Sequence, residues 1–198
     1  MQHGVGIALL TIDRQTHVAR IDRHKGHRDL LESVALLRRE NGLPPFRLVL
    51  VGDGIERDRL AAQARELNIE DIYRPAGHRS DVRPYYAMAA AVALPSHSEG
   101  SPNVVLEGMA AGVPLAATAV GGVPEILEDG VNGLVVPPRN PAAMASALGR
   151  LLRDEGLRSR LAAAARERVE RDFTPEAYRD SMIRFYRQVL TDYQARGG

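Results

Sequence analysis

The sequence predicts an α/β domain with a doubly wound parallel sheet, helices on both faces of that sheet, and further helices at the C-terminus. Two observations predict this class. Apolar strand-like segments alternate with one-sided helical patterns up to residue 139, joined by short turns rich in Gly and Pro, and from residue 140 onward the pattern is helical. Ligands of such sheets bind at the carboxyl ends of the strands, so we expect functional residues in the loops that follow them.

Six segments are predicted as strands. They span residues 16–21, 46–51, 72–76, 90–94, 114–119 and 134–136. Residues 46–51 are nearly all apolar, as a parallel strand covered on both faces should be, and 90–94 form a buried strand, whereas 16–21 are only β-prone and 72–76 form a weak strand. Pro75 lacks a backbone donor, which favours an edge position for the third of these strands.

Apolar side chains recur at helical spacing between these strands and after them. The inward positions that we predict are Leu30, Leu31, Val34, Leu37, Leu60, Ala64, Leu67, Met144, Leu148, Leu151, Leu157, Leu161 and Ala165. Further helices are expected over residues 81–88 and 102–111, and a short one near Gly122.

The last predicted helix, residues 174–193, carries two apolar stripes where a surface helix needs one. The stripes consist of Tyr178, Met182, Phe185 and Val189, and of Ile183, Tyr186 and Leu190. Such a helix either contacts a second body or lies in a groove of its own domain, and the sequence leaves both interpretations open.

Composition excludes several classes of function. The 26 basic and 25 acidic residues nearly balance, and no basic stripe is interleaved with aromatic residues, which argues against nucleic acid as a partner. There is no cysteine for a disulfide or thiolate site, no apolar run of membrane-spanning length and no signal-peptide pattern, so we expect a cytoplasmic protein. Lys25 is the only lysine, which suits a position where the wide fork of an arginine does not fit.

The segment SHSEGSPNVVLE, residues 96–107, combines an anion site with two carboxylates. Ser101 is expected to cap a helix whose first residue is Pro102. The first amide groups and the positive dipole end of such a helix bind anions, and phosphate is the anion to expect on a doubly wound sheet. Glu99 and Glu107 flank this site and can accept hydrogen bonds from sugar hydroxyls. A sugar linked to a diphosphate suits both features.

This pattern resembles the donor domain of retaining glycosyltransferases of the GT-B type, whose signature is two glutamates separated by seven residues. Here these are Glu99 and Glu107. The matching blocks are, in order, RIDRHKGH (residues 20–27), LVLVGDG, GHRSDV, LPSHSEG, PNVVLE, MAAGVP, ATAVGGVPEI and DGVNGLVVPP. The resemblance extends over residues 18–173 and implies one half of a GT-B fold, with a Rossmann-like sheet.

The resemblance also implies roles for the matching residues. Arg20 and Lys25 would hold the diphosphate of a nucleotide-sugar donor, Glu99 the donor sugar and Glu107 the ribose; the first three form the predicted catalytic set. The predicted donor-binding residues are Gly52, Gly54, Glu99, Gly100, Ser101, Pro102, Asn103, Val104 and Glu107. The reaction resembles a front-face displacement assisted by the leaving group. No metal or other cofactor is expected, since arginine and lysine meet the charge of the diphosphate.

Three histidines are better explained by other roles than by ligand binding. His24 and His27 are expected to be solvated residues at the start of a helix, and His97 is expected to be structural. The sequence also departs from the family at Ala19, where a glycine is usual, and at Ala90, where an aspartate is usual. Together with the altered strand around residue 75, these departures concern base recognition more than phosphate binding.

The domain organisation follows from how far the resemblance extends. We predict an unmatched segment over residues 1–15, a nucleotide-sugar-binding domain over 16–172, and a C-terminal helix over 173–198 that contacts an N-terminal domain. That domain, absent here or separately encoded, would bind the acceptor, and any peripheral membrane association would occur through it alone. The isolated chain is then expected to bind donor but to transfer sugar poorly, as part of glycan or polysaccharide synthesis.

Two other functions remain open at this stage. The chain could be a non-catalytic nucleotide-sugar-binding subunit that docks a separate acceptor domain. It could also be one half of a sugar-nucleotide epimerase, although no additional acid or base residues for that chemistry are evident in the sequence.

Overall fold

The computed structural model of the protein describes residues 7–12, 23–100 and 102–195. The strands are β1 (Ile7–Ile12), β2 (Phe46–Val51), β3 (Tyr73–Gly77), β4 (Ala89–Leu94), β5 (Leu115–Thr118) and β6 (Leu134–Val136). The helices are α1 (His27–Arg38), α2 (Arg57–Glu66), α3 (Arg83–Met88), α4 (Asn103–Ala110), α5 (Val123–Ile126), α6 (Pro141–Arg153), α7 (Glu155–Asp172) and α8 (Pro175–Ala195). A 3-10 turn, Arg23–Lys25, precedes α1.

The strands form one parallel sheet in the order β3-β2-β1-β4-β5-β6. The chain first builds outward from β1 to β3 and then returns to the other side of β1, which is the doubly wound topology. The predicted fold class is confirmed. The direction of building reverses between β1 and β4, and the crevice at such a reversal is where ligands of open α/β sheets bind.

The central strand β1 was not predicted at its observed position. We placed the first strand at residues 16–21, which lie outside the described residues. The structure instead pairs Ile7–Ile12 with β2 on one side and β4 on the other. Part of the segment predicted as unmatched therefore lies in the middle of the sheet, and the predicted domain limits stay a prediction.

Side chains that alternate along the strands contribute to two apolar cores on opposite faces of the sheet. On one face Leu48, Leu50 and Ala93 pack with buried residues of α1, α2 and α6. On the other face Val92 and Leu94 pack with buried residues of α3, α4, α5 and α7. Both faces are covered, so the apolar strand segments are buried from both sides, as their composition predicts.

Strand β3 lies at one edge of the sheet, where it pairs only with β2 among the described strands. Pro75, which cannot donate a backbone hydrogen bond, therefore lies where only one neighbouring strand requires backbone hydrogen bonds. The edge position predicted from this proline is confirmed.

Helix α8 projects its apolar residues away from the described domain. Its large apolar side chains include Tyr178, Ile183, Phe185, Tyr186, Val189, Leu190 and Tyr193, each at least 42% exposed. Met182 alone of the two predicted stripes is half-buried. The interpretation that this helix lies in a groove of its own domain is therefore wrong. No described helix, α8 included, has a segment that is long and apolar enough to span a membrane.

Because α8 buries so little, its removal is expected to cost the domain little. Truncation after Thr174 should change the free energy of unfolding in urea by less than about 1 kcal/mol, the range typical of surface changes. As a control, Leu161→Ala in α7 removes a fully buried side chain and should cost about 2–5 kcal/mol. A truncated chain that no longer unfolds cooperatively would contradict this view of α8.

Candidate functional site

The reversal point of the sheet brings together two loops that are distant in sequence. The chain segment after β1 leads to Lys25, and the loop after β4 carries Glu99. Because β1 and β4 are parallel neighbours, their carboxyl ends lie side by side. Two predicted site residues therefore meet at the position where the topology favours a ligand.

Close backbone contact joins the 3-10 turn to the loop after β4. The amide of His97 donates a hydrogen bond of 2.7 Å to the carbonyl oxygen of His24. Gly26 has a φ of 64° and lies so close to Pro95 that a Cβ would collide with the carbonyl oxygen of that residue. Only glycine satisfies both the left-handed conformation and the close approach.

The loop after β4 is held in the same way from its other side. Gly121, with a φ of 51°, faces Glu99, and a Cβ on Gly121 would collide with the Glu99 carbonyl oxygen. The hydroxyl of Thr118 at the end of β5 donates to the Ser96 carbonyl oxygen at 2.5 Å. The backbone around Glu99 is thus fixed by the strand ends on which it rests.

Lys25 and Glu99 form an ion pair within this frame. Lys25 Nζ lies 3.0 Å from Glu99 Oε1 and 3.2 Å from Oε2, so it bonds both carboxylate oxygens. The side chains are only 19% and 7% exposed. The hydroxyl of Ser96, itself fully buried, donates to Glu99 Oε1 at 2.6 Å. Glu99 is therefore a largely buried carboxylate whose charge is balanced by Lys25.

Two of the histidine assignments are confirmed and one is wrong. His97 Nε2 lies 2.8 Å from Asp29 Oδ2, a structural contact between the loop after β4 and α1, and His24 is exposed. His27, predicted to be solvated, is 5% exposed. Burial, aided by the nearby Lys25 cation, lowers the pKa of His27 to about 4. His27 is thus neutral at physiological pH and belongs to the core beneath the site.

Helix α4 begins beside Glu99 but one residue later than predicted. Its first residue is Asn103, and Pro102 occupies the N-cap position without a side-chain cap hydrogen bond. The Pro102 carbonyl oxygen accepts from the amide of Val105 at 2.9 Å. The amides of Asn103 and Val104, at the start of the helix, have no intrahelical acceptor and suit an anion. The proposed capping residue, Ser101, lies outside the described residues.

Glu107 lies farther along α4, at a cavity of about 690 Å³. The hydroxyl of Tyr86, which is 4% exposed, donates to Glu107 Oε2 at 3.0 Å. Ser80 and Asp81 from the connection between β3 and α3, together with Arg83 at the start of α3, complete the polar part of the lining. The cavity has the size of a small-ligand site, with a carboxylate in its wall.

The loop after β2 reaches the same region through a buried glutamate. Gly52, with a φ of 143°, and Gly54 precede Glu56, which is 3% exposed. Arg28 of α1 donates to Glu56 at 2.8 Å and Arg59 of α2 at 2.9 Å. This cluster ties the loop that carries the two glycines to the first turn of α1, and so to the neighbourhood of Lys25.

The structure therefore brings together most of the predicted site residues that it describes. Lys25 and Glu99 bond each other, Gly100 and the start of α4 follow Glu99 along the chain, and Glu56 ties the loop of Gly52 and Gly54 to α1. Glu107 lies farther along α4, in the wall of the cavity described above. Arg20, like Ser101, lies outside the described residues.

Three residues of the site were not predicted, namely Ser96, Glu56 and Tyr86. Ser96 lies in the loop after β4, and Glu56 lies at the end of the loop after β2, at the N-cap of α2, so the rule that places ligands in the loops after strands could have indicated them. Tyr86 lies on a short helix, and no pattern in the sequence marks its contact with Glu107. Within the described part of the chain, no three His, Asp or Glu residues cluster as a metal site would require.

Comparison with known proteins identifies the family. The sequence profile of the glycosyl transferases group 1 matches residues 15–168. This chain belongs to that family. A D-inositol 3-phosphate glycosyltransferase of Frankia alni is 39% identical over 183 residues, a stretch that covers 88% of this chain but 45% of that protein. This chain thus spans less than half the length of that relative.

Solved structures agree with this assignment. The Anabaena protein HepE in complex with UDP and glucose is 26% identical, with a TM-score of 0.73 over 85% of this chain and 45% of HepE. The C-terminal domain of the group 1 protein LpcC from Francisella tularensis is 24% identical, with a TM-score of 0.74 over 85% of this chain and 87% of that domain. The predicted fold, a doubly wound sheet with C-terminal helices that forms one half of a GT-B fold, is confirmed.

Two glycines in left-handed conformations provide a test of the contact that holds Glu99. Gly130→Ala, at a φ of 72° with open space around the added Cβ, should cost only the conformational strain of about 1–2 kcal/mol. Gly121→Ala adds the collision with the Glu99 backbone and should cost clearly more. Urea denaturation of both variants measures the difference. Equal losses would mean that Gly121 does not hold the loop.

The buried His27 predicts a loss of stability at acidic pH. In the unfolded chain His27 is protonated below about pH 6.5, whereas in the folded state it is protonated only below about pH 4. The free energy of unfolding therefore falls as the pH is lowered from about 6.5 to about 4. Between about pH 7.5 and pH 5 the contribution of this group is about 2 kcal/mol. The exposed His78 supplies the control: His27→Gln should lose this part of the pH dependence in urea denaturation, and His78→Gln should keep it.

Proposed function

We propose that this chain is the nucleotide-sugar-binding half of a retaining glycosyltransferase that moves a sugar from a nucleoside diphosphate to an acceptor, in glycan or polysaccharide synthesis. The observation that carries the proposal is the meeting of Lys25 and Glu99 at the reversal point of the sheet, beside the start of α4. A cation and free helix amides suit a diphosphate, and a carboxylate suits sugar hydroxyls. HepE, a structural relative, was crystallised with UDP and glucose, which supports this class of ligand.

In this proposal, Lys25, Arg20 and the first amides of α4 hold the diphosphate. The bond between the anomeric carbon and the diphosphate oxygen breaks, and negative charge develops on the departing phosphate. These groups stabilise that charge more than they stabilise the intact donor, which is what catalysis requires. The charge is met by side chains and helix amides, and we propose no metal ion or other cofactor.

The retaining outcome would arise without a carboxylate nucleophile. The acceptor hydroxyl oxygen forms its bond to the anomeric carbon on the face from which the diphosphate leaves, and its proton passes to a leaving phosphate oxygen. Glu99 orients the sugar by accepting hydrogen bonds from its hydroxyls. Glu107 accepts hydrogen bonds from the ribose, and the cavity lined by Ser80 and Arg83 receives the base.

The proposed partner is an acceptor-binding domain, on the same polypeptide or a separate one. The chain covers 45% of the Frankia alni relative, and it aligns with 87% of a domain described as C-terminal in LpcC. The exposed apolar side chains of α8 supply a surface on which the other domain can pack. Closure of the two domains would exclude water and position the acceptor, so the chain alone should transfer sugar poorly. Cytoplasmic location stays a prediction.

Calorimetric titration with uridine, guanosine and adenosine diphosphates tests this proposal. We expect one of the three to bind, and Lys25→Ala to weaken it by at least about tenfold through loss of a charge-assisted contact. Glu107→Ala should weaken the same nucleotide but leave its 2′,3′-dideoxyribose analogue unaffected, since that analogue lacks the hydroxyls that Glu107 binds. Glu66→Ala, on the exposed end of α2, serves as the control. Absence of binding at millimolar ligand, or equal binding by all variants, would contradict the proposal.

A further inference from the structure

The ion pair between Lys25 and Glu99 joins the two halves of the proposed donor site. Lys25 is the group assigned to the phosphates and Glu99 the group assigned to the sugar, and they bond each other at 3.0 and 3.2 Å. A phosphate that recruits Lys25 therefore competes with Glu99 for the same ammonium group. Binding at one half changes the charge balance at the other.

Loss of Lys25 as its ionic partner would be energetically costly for Glu99. Its side chain is 7% exposed, so water cannot readily replace Lys25 around the carboxylate. Ser96 satisfies Oε1 with one hydrogen bond of 2.6 Å, but a neutral hydroxyl does not balance the charge. A buried carboxylate that loses an ionic partner incurs a large desolvation cost unless new donors replace it.

Glu99 also cannot readily move away from an incoming phosphate. The carbonyl of Glu99 is packed against Gly121, and the amide of His97 is bonded to His24 in the turn that carries Lys25. Both partners of the ion pair are thus held by backbone contacts. A shift of the backbone is therefore not available to separate the two side chains, and a phosphate that approaches Lys25 meets the ion pair as it stands.

Free nucleoside diphosphate and nucleotide sugar differ in what they offer Glu99 when Lys25 turns to the phosphates. A free diphosphate carries more negative charge on its terminal phosphate, so a site of cations alone would favour it. It offers no donor to Glu99 when Lys25 turns to the phosphates, and it places negative charge beside that carboxylate. The sugar of an intact donor brings hydroxyl groups that can donate to Glu99 in place of Lys25.

We propose that Glu99, through its ion pair with Lys25, makes this site select nucleotide sugars over the corresponding free nucleoside diphosphates. The inference rests on the proposed function and deepens it. After transfer the product diphosphate has no hydroxyls for Glu99, so the carboxylate reclaims Lys25 and weakens the hold on the product. The same pair favours donor binding and product release.

The test compares dissociation constants for matched ligands: UDP with UDP-glucose, GDP with GDP-mannose, and ADP with ADP-glucose. For the base that binds, Glu99→Gln should lower the ratio of the diphosphate constant to the nucleotide-sugar constant by at least about tenfold. Most of that change should come from tighter binding of the free diphosphate. Glu66→Gln, a matched change on the exposed end of α2, should leave the ratio unchanged.

A second variant acts in the opposite direction. Ser96→Ala removes the neutral donor from Glu99, which makes the carboxylate more dependent on Lys25 or on sugar hydroxyls. The same ratio should then rise, by about threefold. If Glu99→Gln does not fold, as judged by circular dichroism, the Ser96→Ala ratio decides.

The outcomes separate this inference from the function on which it rests. A ratio that stays unchanged in the folded variants, with binding retained, overturns the inference and leaves the donor site standing. If neither the wild-type chain nor Glu99→Gln binds any of the six ligands at millimolar concentration, the proposed function fails and the inference with it.

Discussion

The constraint on which the site depends is the backbone contact between the loops that follow β1, β4 and β5. The parallel order of the sheet brings these loops together, but the distance between them is set by residues that lack a side chain. Gly26 lies against Pro95, and Gly121 lies against Glu99. With the loops this close, a lysine after one strand reaches a glutamate after another, and the start of α4 adjoins both. The chemistry of the site follows from that proximity.

The fold was largely predictable because apolar strand segments and one-sided helical patterns are both local features of the sequence. Five strands occur close to their predicted positions. The strands β2, β4, β5 and β6 are largely apolar because helices cover both faces of the sheet, whereas the edge strand β3 carries exposed residues and gave a weaker signal. Strand β1 was missed because the segment of residues 7–12 has no neighbouring helical pattern or turn signal that sets it apart from an apolar leader. Its place in the sheet depends on pairing with β2 and β4, which are distant in sequence.

The site was predictable in its residue types and less so in its contacts. The anion site at the start of a helix, with Glu99 and Glu107 beside it, indicated a site for a sugar linked to a diphosphate, and the family resemblance assigned Lys25 to the phosphates. That Lys25 bonds Glu99, that Tyr86 bonds Glu107, and that a glutamate after β2 is buried among arginines are tertiary facts. His27 shows the same limit. A polar residue at the start of a helix is usually solvated, but the packing of α1 against the sheet buries this one.

In the proposed function, the contacts to the diphosphate, the sugar and the nucleoside are distributed along α4 and the residues beside it. The amino end of the helix and Lys25 suit the charged diphosphate, the buried Glu99 suits the sugar, and Glu107 lies beside a cavity large enough for a nucleoside. Helix α8 carries its apolar side chains outward, where a second domain would complete the cleft. In the proposed function, this chain supplies the donor surface and a second domain is needed for transfer.

A crystal structure of the chain grown with the nucleotide sugar that it binds most tightly tests the central claim most directly. We expect the diphosphate between Lys25 Nζ and the first amides of α4, with sugar hydroxyls donating to Glu99 and the ion pair between Lys25 and Glu99 broken. A nucleotide sugar bound elsewhere on the domain, with that ion pair intact, would show that Lys25 and Glu99 do not form the donor site.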